Sequence, residues 1–115
     1  MSKDFDLAEF QAEVGAWHRH NFPAAPAERV ALKLAEEVGE LAHARIQLED
    51  GIGDADKHRQ EEADAVGDIM IVLAIYCEKA DLDLSGCIIA TWERVSKRDW
   101  QRDKLQGGKQ HEGAE

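Results

Sequence analysis

Residues 69–77, Ile-Met-Ile-Val-Leu-Ala-Ile-Tyr-Cys, carry an apolar or aromatic side chain at every position. Such a run is either a buried strand or a helix covered on every side. Its β-branched content favours a strand. The pattern around it, however, runs unbroken from about Lys57 to Ala80, far beyond the ~3–10 residues of a strand. The segment is therefore read as a helix. Its neighbours in a chain of 115 residues are too few to cover it, which implies a second subunit.

Three amphipathic segments supply those neighbours. From about Asp6 to His20, the positions Leu7, Phe10, Val14 and Trp17 form one helical stripe. Asn21-Phe22-Pro23 ends it, because the residue before a proline is pushed out of the α region. A second helix starts near Pro26, suited to a first turn, and runs to about Leu48 with Val30, Leu34, Val38, Leu41 and Ala42 on one face. Residues 49–54, which include Gly51 and Gly53, break it. The last helix is expected from Ser85, a good N-cap, to about Lys104. The expected fold is all-α: a short four-helix bundle over residues 1–104, forming a homodimer or homotetramer. A disordered polar tail is expected over 105–115.

Charge and composition narrow the function. Twenty-four acids against fourteen bases give a net charge of -10, which argues against a general nucleic-acid surface. No apolar run approaches the ~18 residues of a membrane span, so no membrane partner is expected. Met1-Ser2-Lys3-Asp4 has no apolar signal core. Cys77 and Cys87 have no metal-ligand spacing and read as reduced thiols. The expected compartment is the cytoplasm.

The chemistry-bearing residues are acids set within apolar patterns. Helix two carries Glu36, Glu37 and Glu40; helix three carries Glu61, Glu62, Asp64 and Asp68. At about 100° per residue, Glu36 and Glu40 lie ~40° apart around the axis, as do Asp64 and Asp68. Each helix thus presents a column of acids, and like charges one turn apart repel unless cations neutralise them. Val38-Gly39-Glu40-Leu41 is echoed by Val66-Gly67-Asp68-Ile69. A glycine inside a helix costs ~1 kcal/mol relative to alanine, so the pair suggests a close backbone approach that brings Glu40 and Asp68 to a shared ion. Oxygen ligands without sulfur or imidazole select Mg²⁺ or Mn²⁺. The competing reading is a solvated acidic face paired with Lys33, Arg45 or Arg59.

The segments Lys33-Leu34-Ala35-Glu36-Glu37-Val38-Gly39-Glu40-Leu41 and Glu61-Glu62-Ala63-Asp64-Ala65-Val66-Gly67-Asp68-Ile69-Met70 resemble the ExxE…ExxD signature of MazG-like nucleotide pyrophosphohydrolases. The resemblance extends through Asp81-Leu82-Asp83-Leu84 to Thr91-Trp92-Glu93-Arg94-Val95-Ser96-Lys97-Arg98-Asp99-Trp100. It implies Mg²⁺-dependent hydrolysis of a (d)NTP to (d)NMP and pyrophosphate, with Glu37, Glu40, Glu61, Asp64 and Asp68 as metal ligands. Glu36 or Glu37 is the implied general base. Lys33, Arg94, Lys97 and Arg98 are candidates for the phosphates. Trp17 is a candidate for the base, although an aromatic at helical spacing also reads as core. The family glutamate three residues before Asp68 falls on Ala65; either Asp64 stands in for it or the site is shifted toward Glu61. A phosphoribosyl-ATP pyrophosphohydrolase resembles the same bundle. The alternative of a different class is a catalytically silent metal- or nucleotide-binding module. His18, His20, His43 and His58 form no metal or triad spacing and are expected at the surface. No glycine-rich phosphate loop is present.

Overall fold

A helix forms where its first N–H groups find acceptors, and four of the helices here begin on a side chain that supplies one. The computed structural model describes residues 4–105. Its elements are α1 (Leu7–Asn21), α2 (Ala27–Glu49), α3 (Ala55–Lys79), α4 (Leu84–Val95) and α5 (Trp100–Leu105). The Asp6 carboxylate accepts the Glu9 N–H at 3.0 Å, starting α1. Asp54 accepts from the N–H groups of Asp56 and Lys57, starting α3. Between α2 and α3, Gly51 and Gly53 take left-handed φ values of 66° and 72°, which only glycine adopts without strain. No strand occurs among the described residues, so the all-α expectation holds.

The chain divides into two compact units, Met1–Ser85 and Gly86–Glu115. In the first, α3 packs against both α1 and α2. Val30, Val72 and Ile75 form one core cluster with Val14, Leu34 and Tyr76 against it. Ala74, Cys77 and Leu84 form a second, packed by Leu7, Phe10, Met70 and Leu73. The apolar run on α3 is thus the centre of the unit. Two neighbours do not cover it fully: Ile71 is exposed, and Ile69, Met70, Leu73 and Tyr76 are half-buried.

Three expectations change. The last helix is not continuous to Lys104; α4 ends at Val95 and α5 begins at Trp100. The break is stabilised in the second unit by Asp99, whose carboxylate accepts the Arg102 N–H at 2.8 Å. Ser85 is not a cap but lies within the first turn of α4. The N–H of Leu84 is taken instead by Oε1 of the buried Gln11, at 2.8 Å. That amide also donates to Glu78 at 2.9 Å and to the Leu82 carbonyl at 2.8 Å, tying α1 to the corner after α3. Finally, a Cβ built on Gly39 or Gly67 would meet nothing within 4 Å, so neither glycine marks a close helix approach. The tail expected over 105–115 lies outside the described residues except for Leu105, the last residue of α5.

Candidate functional site

At about 100° per residue, positions 36, 40, 43 and 47 of α2 fall within ~60° of one another, as do 57, 61, 64 and 68 of α3. The short turn between these helices sets the two edges side by side. They wall a cleft of about 830 Å³ lined by Glu36, Glu40, Glu61, Asp64 and Asp68, with His43, Gln47, Lys57 and His58. Gly39 and the buried Ala44 and Ala65 lie between the walls. The volume falls within the roughly 300–1,000 Å³ of ligand pockets.

The cations distribute unevenly over these acids. Lys33 lies 3.3 Å from Glu36 and 3.5 Å from Glu37. The carboxylates beside Lys33, Glu36 first, hold its ammonium above the usual lysine range. Arg45 binds Glu62 at 2.6 Å and Glu49 at 3.0 Å, and Arg59 also reaches Glu62. The ion-paired reading therefore describes Glu36, Glu37 and Glu62. Inside the cleft, Asp64 accepts from the Gln60 amide at 3.0 Å. Glu61 accepts from His58 Nδ1 at 2.8 Å, which lowers its pKa from the ordinary 4.5, with smaller contributions from Lys57 and His43. His58 Nε2 sits 2.8 Å from the Ile52 carbonyl. Among the described residues, neither Glu40 nor Asp68 has an ion-pair or hydrogen-bond partner.

Glu37 departs from its expected place. It is buried at 5% exposure, on the helical face shared with Val30 and Ala44 and not in the cleft lining. Its Oε1 is enclosed and makes no hydrogen bond. An enclosed carboxyl oxygen without a donor is costly, and a cation ligand is one chemistry that satisfies it. The donor set thus fits a hard cation: unpartnered Glu40 and Asp68, lightly engaged Asp64, and the orphan oxygen of Glu37. As the side chains stand, no three His, Cys, Asp or Glu groups among the described residues close on one point. Exposed carboxylates on facing walls repel and relax toward water when nothing draws them together.

The other expected residues separate. Lys33 sits beside Glu36 at the cleft edge. Trp17 is 54% exposed and so not core; its ring packs edge-on against Phe22 at 6.1 Å. Arg94 is on α4, and Lys97 and Arg98 follow it, all in the second unit. Two histidines contradict the expectation of a surface role. His18 is buried at 8% exposure, and the His58 side chain is held between two acceptors at 15%.

Comparison with known proteins gives no match to a family model, to a curated protein or to a solved structure.

Proposed function

We propose that the chain is a Mg²⁺-dependent nucleoside triphosphate pyrophosphohydrolase of the MazG-like kind, converting a (d)NTP to (d)NMP and pyrophosphate. The observation that carries this reading is the cleft lined by five carboxylates from α2 and α3, of which Glu40 and Asp68 have no cation partner among the described residues. Glu40, Asp64 and Asp68, together with Glu37, would hold Mg²⁺ or Mn²⁺, and Glu61 would add to the set on release from His58. The ion, when bound, supplies charge stabilisation for the leaving pyrophosphate.

The chain's own residues supply the rest. Glu36, exposed on the cleft wall, is better placed than the buried Glu37 to take a proton from the attacking water. Lys33 holds Glu36 through Oε1, leaving Oε2 for that water. As the water oxygen joins phosphorus, the proton passes to Glu36, the bridging α–β P–O bond breaks and pyrophosphate departs. Lys33 and Lys57 lie at the cleft as phosphate contacts, and Arg94, Lys97 and Arg98 remain candidates from the second unit. Leu32, Val38, Ile46, Val66 and Ile71 are large apolar groups exposed on α2 and α3. They support assembly into a homodimer or homotetramer. No helix among the described residues is long and apolar enough to cross a membrane, and we place the activity in the cytoplasm.

The test is pyrophosphate release from a panel of (d)NTPs in Mg²⁺. Glu40→Gln and Asp68→Asn should each lower kcat/KM at least ~100-fold, as expected for loss of a ligand to a charge-stabilising ion. If Asp64 stands in for the residue missing at Ala65, Asp64→Ala should match them. The silent-module reading draws on Ala65, buried at 3% where the family signature has a glutamate. No release from any triphosphate by the wild-type protein would establish that reading instead.

A further inference from the structure

A second cavity, of about 420 Å³, lies beside the carboxylate cleft, and Glu36 lines both. Its walls are largely apolar, with Val30, Val72 and Ile75 from the core, Phe22 after α1, and His18. The Phe22 ring centroid stands 5.4 Å from the His18 ring and 6.1 Å from Trp17. An apolar space faced by the Phe22 and His18 rings, and sharing Glu36 with the acidic cleft, suits a flat heteroaromatic ring.

His18 gives the cavity its polarity. Among the described residues neither of its ring nitrogens has a hydrogen-bond partner, and Nδ1 is the enclosed one. Burial, and then the Lys79 charge, lower its pKa from the ordinary 6.5, so the ring is neutral near pH 7. A neutral imidazole carries one N–H and one lone pair. An enclosed N–H without an acceptor costs more than an enclosed lone pair, so the proton belongs on Nε2. The cavity therefore presents an unused donor.

We propose that this cavity receives the base of the nucleotide, with His18 Nε2–H donating to a ring carbonyl. A base with a carbonyl at the contacted edge is then favoured over one with an amino group there. That preference rests on the pyrophosphohydrolase reading for its substrate, but the site does not require turnover.

The experiment uses uridine and cytidine 5′-monophosphates with the full-length protein. Long-range ¹H–¹⁵N spectra of the histidine side chains should show His18 neutral with its proton on Nε2. UMP should shift those resonances and bind at least ~10-fold more tightly than CMP. His18→Phe keeps an aromatic of similar size and removes the donor, so it should erase the preference. Uridine should shift the same resonances in Glu40→Gln/Asp68→Asn, so loss of turnover leaves this result standing. UMP and CMP binding equally, a proton on Nδ1, or His18 resonances unmoved by saturating UMP would each overturn the proposal.

Discussion

Replacing Glu37 with methionine should make the metal-free protein more stable and leave it deaf to Mg²⁺. Glu37 is 5% exposed, and its Oε1 is enclosed without a donor. An unsatisfied buried polar group costs about 1–3 kcal/mol. Methionine has similar length, favours helix and removes that cost. What is lost is the 3.5 Å contact with Lys33, whose side chain is 53% exposed, and such a pair contributes at most about 1 kcal/mol. The net expectation is a gain of about 1–2 kcal/mol. For a domain of this size that is a rise in Tm of roughly 3–10 °C. The assay is thermal unfolding by circular dichroism in EDTA and again in millimolar Mg²⁺. Wild type should gain stability on adding the ion through mass action; Glu37→Met should not. A fall in Tm of Glu37→Met in EDTA would refute the reasoning, since it would mean that the carboxyl is already satisfied within the fold.

Further outcomes follow from the same geometry. Gly39→Ala and Gly67→Ala should each stabilise the fold by about 1 kcal/mol in urea unfolding, because an added Cβ meets nothing within 4 Å. Gly15→Ala should destabilise it, because its Cβ would collide with the Glu78 side chain that Gln11 and Arg19 hold. The folded state binds the His18 proton less tightly than the ordinary 6.5, so its contribution is complete above that pH and is lost as pH falls through the lowered value. Between pH 7.5 and 5, the Tm of wild type should therefore drop further than that of His18→Phe. Sedimentation equilibrium should give a multiple of 12.8 kDa at micromolar concentration, and a stable monomer would remove the oligomer from the account.

The first three helices were legible because their apolar spacing and breakers agree, and each end falls within about two residues of its expected place. On α1, Leu7, Phe10 and Val14 of the expected stripe pack against the core while Trp17 is exposed. The buried positions there are Gln11, Gly15 and His18, one turn on from the apolar Leu7 and Val14. Two polar residues on a core face disguise it, although the spacing 7, 11, 14, 18 is itself a heptad. Glu37 was hidden in the same way, since Val30, Glu37 and Ala44 repeat every seven residues and mark the buried face of α2. The break before α5 has no proline or glycine to announce it; Asp99 was its one signal. The cleft was legible as two columns of acids, but their partners were not. Which carboxylate goes to Arg45, His58 or nothing depends on side-chain reach across helices, which periodicity does not encode.

The central claim is that the cleft between α2 and α3 is a divalent-cation site, and Mn²⁺ binding followed by electron paramagnetic resonance tests it most directly. Wild type should remove free Mn²⁺ from solution at micromolar concentrations. Glu40→Gln/Asp68→Asn, shown to be helical by circular dichroism, should leave it free. Mn²⁺ bound equally by both proteins, or by neither, would contradict the account.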